Sequence, residues 1–172
     1  MQTNRKLPFQ TSRKTSTKDA TRRWLASMAN DYPLALTITL KPTYPVKTPC
    51  GTYYRKLTVA DCERVARKFQ QKLNRSYFGR RGADKHGHSL KYLPILEGAA
   101  SNKGLHLHYG VGGLPKSARL RDFGSHVCAA MSLVPEINVQ YDIKIADRGW
   151  FEYITKETGS THTDNVLWSL VK

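Results

Sequence analysis

Acidic residues are scarce in this sequence. Its 172 residues include 13 Asp and Glu against 28 Lys and Arg, which gives a formal net charge of +15 at pH 7. A charge of that size favours a polyanionic partner, because each phosphate that a cation neutralises releases condensed counterions. Nucleic acid is therefore the first partner class that we expect, and an anionic membrane surface is the second.

Long apolar segments and paired cysteines are also missing. No run approaches the roughly 18 apolar residues of a membrane span, and segment 1–19 lacks the apolar core of a secretory signal. We therefore expect a protein that is neither secreted nor inserted in a membrane. The cysteines Cys50, Cys62 and Cys128 contain no C-x-x-C pair, which favours reduced thiols in an intracellular protein.

The hydropathy pattern predicts an α+β fold. Period-two alternation of apolar residues predicts strands in segments 33–40, 90–98, 105–112 and 137–146. Helical spacing predicts helices in segments 16–31, 57–79, 117–134 and 147–158. We expect a central, mostly antiparallel sheet of about five strands flanked by helices, as in an RRM-like sandwich.

The sequence also indicates the domain organisation and the positions of loops. Residues 1–31 are predicted to form a basic arm with a short helix, and residues 32–172 one domain. The Pro-rich segment 41–56 and the basic segment 80–89 are predicted loops, with Gly79 ending the helix before the second. The three tryptophans are expected in the core or, for one of them, stacked on a base.

Two histidines, His106 and His108, lie one residue apart in a predicted strand and therefore share a face. Glu97 ends the preceding strand, and a hairpin would bring its carboxylate next to the pair. Two imidazoles and a carboxylate form a three-point metal site that leaves positions open for substrate. Mn²⁺ or Mg²⁺ suits this donor set as a Lewis acid, although affinity alone favours Zn²⁺. The simpler alternative is a chance pair of strand histidines.

A second group of reactive residues lies near the C-terminus. Tyr153 and Lys156 are three residues apart in a predicted helix, so they share a face. A tyrosine hydroxyl, with a pKa of about 10, is a poor nucleophile unless its phenolate is stabilised. A nearby lysine can stabilise the phenolate or hold a phosphate, but Tyr153 could equally be a residue that packs on the sheet.

These blocks, in this order, resemble the motifs of single-tyrosine HUH endonucleases of the rolling-circle replication initiator (Rep) type. LALTITL, residues 34–40, resembles the opening strand of that fold. GLHLHYG, residues 104–110, resembles the His-hydrophobic-His motif, and YITK, residues 153–156, resembles the tyrosine motif. The resemblance spans residues 34–157 and implies an HUH/Rep-like sheet with helices on its faces.

The resemblance also implies an activity. Glu97, His106 and His108 would bind the metal, and Tyr153, assisted by Lys156, would attack a phosphodiester in single-stranded DNA at a specific site. The products would be a 5′-phosphotyrosine and a free 3′-hydroxyl, and a later strand transfer would rejoin the ends without ATP. Such a nickase and ligase initiates rolling-circle replication of a plasmid, a phage or a small virus.

The sequence departs from many viral relatives in one respect, since it contains no G-x-x-x-x-G-K-[ST] loop. We therefore expect either a fragment or a protein that depends on a host helicase and polymerase. The expected location is the cytoplasm of a bacterial host, or the nucleus for a protein of a eukaryotic virus. Oligomeric state is not predicted.

Basic clusters interleaved with Tyr and Phe predict contacts with single-stranded DNA or an origin hairpin. The candidate residues are Arg22, Arg23, Arg55, Lys56, Arg80 and Arg81. A second His-x-His pair, His86 and His88, has no predicted strand to orient it, so we expect no metal there. Two alternative functions stay open, namely a single-tyrosine HUH transposase and a non-catalytic nucleic-acid-binding module.

Overall fold

The computed structural model describes residues 17–99, 104–154 and 165–172. The helices in these ranges are α1 (Thr17–Ser27), α2 (Val59–Lys85), α3 (Leu120–Met131) and α4 (Arg148–Ile154). The strands are β1 (Leu34–Leu40), β2 (Thr43–Thr48), β3 (Gly51–Lys56), β4 (Lys91–Glu97), β5 (His106–Gly112) and β6 (Ile137–Ile145). Short 3₁₀ turns occupy Ala29–Asp31 and Trp168–Leu170.

Four strands form one sheet in the order β4-β5-β1-β6, with every neighbouring pair antiparallel. Among the described strands, β2 and β3 pair with each other alone and form a separate hairpin. The predicted α+β architecture, a mostly antiparallel sheet between helices, is confirmed. No helix within the described ranges is both long enough and apolar enough to cross a bilayer.

The larger core lies on one face of the sheet, beneath α2 and α3. Alternate strand residues point into it because successive side chains leave opposite faces of a strand. These residues are fully buried and include Leu36, Ile38, Tyr92, Leu107 and Tyr109. Helix α2 covers them with Val65, Phe69 and Leu73, and α3 adds Phe123 and Val127. These helix residues recur at the three- and four-residue spacing of an apolar stripe.

A smaller core lies on the opposite face and covers only part of it. Leu25 of α1 packs there with Trp150, Phe151 and Ile154 of α4 against Ala35, Leu93 and Ile95 of the sheet. Close packing explains Gly110, since a Cβ atom at this position would lie 3.0 Å from Cβ of Tyr32. The rest of this face carries polar side chains, which line a cleft among the described residues.

Segment 41–56 is a β-hairpin, so the prediction of an irregular loop was wrong. Pro45 pairs in register with Tyr54, within a ladder that runs from Thr43–Lys56 to Thr48–Gly51. In a two-stranded hairpin half of the backbone N–H groups face outward, so a proline removes no necessary hydrogen bond there. Gly51, with φ of 134°, provides the positive φ that follows the turn.

Helix α2 continues beyond Gly79, which was predicted to end it. Gly79 has φ 72° and ψ 157°, so the helix kinks there and resumes up to Lys85. An ion pair bridges the kink, with Nε of Arg75 2.9 Å from Oδ1 of Asp84. The basic segment 80–85 is therefore helical rather than a loop.

The tryptophans differ in their environments. Trp150 is buried in the smaller core, as expected. Trp24 and Trp168 are each 43% exposed, so a core position was wrong for both. Their ring centroids lie 5.4 Å apart, and the two rings cover one another at the surface.

Asp61 joins the β2–β3 hairpin to the start of α2. Its carboxylate accepts two hydrogen bonds from Arg55, at 2.6 and 3.0 Å, and contacts Arg64 at 2.8 Å. It also accepts from the backbone N–H of Thr58, while its own N–H donates to the Thr58 hydroxyl, which completes a capping box. The hydrogen bonds from Arg55, reinforced by Thr58, hold the pKa of Asp61 well below its usual range although burial opposes them.

We expect Asp61→Asn to lower the free energy of unfolding at pH 7 by about 2 to 4 kcal/mol, since it removes the charge of a buried carboxylate that binds Arg55 and Arg64 and weakens a cap. The folded-state pKa lies below the unfolded value of about 4, so this stabilisation is complete above pH 4. It is lost as the pH falls toward the folded-state pKa, and the gap between wild type and variant should narrow there. Urea unfolding followed by circular dichroism at pH 7, 5 and 3 measures the gap.

Glu63→Gln is the matched control for this experiment. Glu63 is half-buried, contacts Arg67 at 3.2 Å on the same helix and accepts a hydrogen bond from the hydroxyl of Ser169. Glutamine keeps an oxygen that can accept from Ser169, so the variant removes only the ion pair. Its loss should cost no more than about 0.5 kcal/mol. Equal effects for the two variants, or a gap at Asp61 that does not change with pH, would contradict the role assigned to Asp61.

Candidate functional site

The strand register brings polar side chains together on the open face of the sheet. His106 pairs with Glu97 on one side and with Thr39 on the other. In the next row of that face, Thr37 lies between His108 of β5 and Asp142 of β6. Directly opposed residues in antiparallel strands share a face, so both rows point toward the same space.

Glu97 and His108 are in direct contact and both are buried. Oε2 of Glu97 lies 2.6 Å from Nε2 of His108, which is a short hydrogen bond between a carboxylate and an imidazole. The other ring nitrogen, Nδ1, forms a hydrogen bond of 2.9 Å with Oγ1 of Thr37. The imidazole of His108 is therefore held from both sides, with Nε2 directed at the carboxylate.

His106 is half-buried on the same face, and its ring stacks at 6.3 Å from that of His108 with an interplanar angle of 29°. Within the described ranges, no three His, Cys, Asp or Glu side chains converge as a ready cation site. The donor chemistry nonetheless fits a divalent cation, because the proton between Glu97 and His108 occupies a position that a metal can take. A histidine that binds a metal through one ring nitrogen is usually oriented by a hydrogen bond at the other, and Thr37 forms that bond with Nδ1 of His108.

Tyr153 reaches this face from α4. Trp150, Phe151 and Ile154 are buried and anchor the helix, whereas Tyr153 is 51% exposed. Its ring meets the ring of His108 edge-on, at 6.2 Å between centroids and 82° between planes. The predicted nucleophile thus lies beside a predicted metal ligand.

A cleft of about 590 Å³ contains these groups. Its lining includes the predicted residues Glu97, His106, His108 and Tyr153. Lys156 lies outside the described residues, so its predicted role stays a prediction.

Four polar residues that line the cleft were missed from the sequence, namely Thr37, Asp142, Lys144 and Asp147. Lys144 lies 3.9 Å from Asp142, and both side chains are exposed. Asp147 accepts a hydrogen bond of 2.7 Å from the backbone N–H of Trp150 at the start of α4. The alternation of side chains along β6 predicts from the sequence that Asp142 and Lys144 share a face. Only the strand register shows that this face is the one that carries His108.

The predicted DNA-contact residues lie elsewhere. Arg55 is bound to Asp61 and stacks at 4.5 Å on the ring of Tyr44, so its guanidinium already has a structural role. The other exposed candidates are Arg23 on α1, Lys56 on β3, and Arg80 and Arg81 beyond the kink of α2. Arg22 lies on α1, but its side chain is outside the described part. Of the candidates with described side chains, none lines the cleft.

We expect Thr37→Val to weaken Mn²⁺ binding about 10- to 100-fold, as is typical when the outer partner of a ligating histidine is lost. Valine keeps the shape of threonine but leaves Nδ1 of His108 without its hydrogen bond. Isothermal titration with Mn²⁺ measures the affinity, with Thr52→Val on β3 as control. Unchanged affinity would remove Thr37 from the site, and no binding by the wild type would reject the metal site altogether.

No family model, curated protein or solved structure matches this chain at a significant level. The geometry of the cleft and the charge of the chain are therefore the grounds for assigning a function.

Proposed function

We propose that this protein is a metal-dependent HUH endonuclease that nicks single-stranded DNA at a specific site and transfers the cut strand. The observation that carries this proposal is the edge-on contact of Tyr153 with His108, at 6.2 Å between ring centroids. This contact brings the phenol ring of Tyr153, the proposed nucleophile, close to the carboxylate–imidazole pair of Glu97 and His108. The formal charge of +15 supports a polyanionic substrate.

In the proposed reaction the hydroxyl oxygen of Tyr153 attacks the phosphorus of the scissile phosphodiester. The bond to the 3′-oxygen breaks, which leaves a 5′-phosphotyrosine and a free 3′-hydroxyl. The tyrosine loses a proton and the departing oxygen gains one, so protons balance over the step. The covalent bond preserves the energy of the phosphodiester, and a 3′-hydroxyl can later attack it to rejoin or transfer the strand.

Glu97, His106 and His108 are the residues that would hold Mn²⁺ or Mg²⁺, which as a Lewis acid stabilises negative charge on the phosphate. Thr37 fixes the ring of His108 through Nδ1. Lys144, which lines the same cleft, offers a positive charge to the phosphate oxygens. Lys156 is proposed for a similar role on the basis of the sequence motif.

The proposed biological role is initiation of rolling-circle replication of a plasmid, a phage or a small virus. The 3′-hydroxyl released by the nick would serve a polymerase as primer, and a host helicase would separate the strands. The reaction would take place in the cytoplasm of a bacterial host, or in the nucleus for a protein of a eukaryotic virus.

A metal-dependent protein–DNA adduct is the expected outcome of incubation with labelled single-stranded DNA and Mn²⁺. The substrate is a pool that contains randomised oligonucleotides and hairpins, and the products are resolved on a denaturing protein gel. EDTA should prevent the adduct, and Tyr153→Phe should reduce it more than about a thousandfold, because the phenylalanine ring has no nucleophile.

Tyr141→Phe is the matched control, since Tyr141 lies on the other face of β6 and should leave the adduct unchanged. Cleavage without an adduct would contradict the role of Tyr153 and indicate water as the attacking group. DNA binding with no cleavage of any substrate would favour the non-catalytic binding module instead.

Metal binding can be tested without DNA. At a Mn²⁺ concentration about 100 times the dissociation constant, we expect the melting temperature to rise by about 5 to 10 °C. The double variant His106→Ala/His108→Ala should lose this rise because the imidazole ligands are gone. His86→Ala/His88→Ala removes the other His-x-His pair and should keep it. Loss of the rise in both variants would assign the effect to unspecific binding by histidines.

A further inference from the structure

Segment 41–56, which is the β2–β3 hairpin together with the two residues that precede it, has a distinctive composition. It contains four cationic residues and three tyrosines but no Asp or Glu. Tyr53 and Tyr54 are 51% and 70% exposed, so large aromatic surfaces face solvent. Exposed aromatic rings among cations are the combination that single-stranded nucleic acid requires, since the rings stack on bases and the cations bind phosphates.

One face of the hairpin is attached to the rest of the protein. Tyr44 and Val46 of β2 and Arg55 of β3 are half-buried. Arg55 stacks on Tyr44 and binds Asp61, and Tyr44 packs against the larger core. A two-stranded hairpin is marginally stable alone, and these contacts hold it against the start of α2.

The other face of the hairpin is exposed from Pro45 to Lys47 and from Thr52 to Lys56 along its own register, and among the described residues only Thr43 on it is half-buried. The register pairs Pro45 with Tyr54, Lys47 with Thr52, and Thr43 with Lys56. Opposed residues share a face and so do residues two apart, which places Lys47, Tyr54 and Lys56 together. All three are exposed. Tyr53 leaves the strand on the opposite side.

The hairpin begins at the end of the sheet that carries the cleft residues. Strand β1 ends at Leu40, and its residue Thr39 pairs with His106, which pairs with Glu97. Strand β2 begins at Thr43, three residues after the end of β1. A strand of DNA entering the cleft at this end would therefore arrive near the base of the hairpin.

We propose that the face of the hairpin formed by Lys47, Tyr54 and Lys56 binds single-stranded DNA, with a base stacked on Tyr54 and phosphates on the two lysines. This interaction deepens the proposed function, on which it rests only for the identity of the substrate. The absence of carboxylates from segment 41–56 favours a polyanionic partner over a neutral surface of mixed charge. The exposed ring of Tyr54 can stack on an unpaired base of single-stranded DNA, whereas the bases of a duplex are already stacked on each other.

Binding of fluorescein-labelled dT20, measured by anisotropy in EDTA, tests this proposal without any cleavage. We expect Tyr54→Ser to weaken binding about tenfold, which is typical of the loss of one stacked base. Tyr54→Phe keeps the ring and should bind like the wild type. Tyr53→Ser, an adjacent exposed tyrosine on the other face, should change affinity less than about twofold. Thermal unfolding of each variant verifies that the fold is intact.

The lysines are tested by salt dependence. For Lys47→Gln/Lys56→Gln, the slope of log affinity against log salt concentration should become shallower by about 0.7 for each lysine. A duplex of the same length should compete less well than dT20, since its bases are already stacked.

Unchanged DNA affinity in Tyr54→Ser would overturn the proposal and would indicate that the exposed Tyr54 ring contacts a protein instead. Equal losses in Tyr53→Ser and Tyr54→Ser would overturn the choice of face. Because EDTA prevents cleavage, the binding test and the adduct assay can fail independently. DNA binding that depends on Tyr54, together with no adduct in the cleavage assay, would reject the endonuclease activity. An adduct, together with DNA binding that does not depend on Tyr54, would reject the DNA-binding role of the hairpin.

Discussion

The pairing register between β5 and its two neighbours is the constraint on which the candidate site depends. Side chains alternate, so a slip of one residue would turn His106 and His108 toward α2 and α3 and bring Leu107 and Tyr109 into the cleft. Leu107 and Tyr109 are fully buried, and their exposure would cost about 3 to 6 kcal/mol at 1.5 to 3 kcal/mol per side chain. The apolar core on one face therefore maintains the polar site on the other.

The parts of the site that the sequence predicted are those read along one strand or one short connection. His106 and His108 share a face by alternation alone, and Glu97 follows from a hairpin between consecutive strands. Thr37 and Asp142 were missed, since their proximity to His108 depends on pairing between strands far apart in the chain. The β2–β3 hairpin was missed because prolines usually break regular structure, whereas in a hairpin only the inward-facing N–H groups need partners.

The two faces of the sheet differ in composition, since one carries the larger core and the other carries both the smaller core and the cleft. The face under α2 and α3 is apolar and contributes more of the buried core residues than the opposite face does. The face under α1 and α4 is apolar at one end, where Ile95 packs against the helices, and polar at the other, where Glu97 lies two residues further along β4. Strand β4 thus runs from the smaller core at Ile95 to the cleft at Glu97 within two residues. Helix α4, which packs on Ile95, is therefore held close to the polar residues of the cleft without covering them.

The turn that joins β2 to β3 carries Cys50, whose position has a practical consequence. Cys50 and Cys128 are exposed, whereas Cys62 is buried and its pKa is raised by burial to about 11. Thiol reagents at neutral pH act on thiolates, so they will spare Cys62. With Cys128 replaced by serine, a fluorophore or spin label can be attached at the tip of the hairpin alone. The native chain therefore already provides a reporter site from which movement of the hairpin against the sheet can be followed in solution.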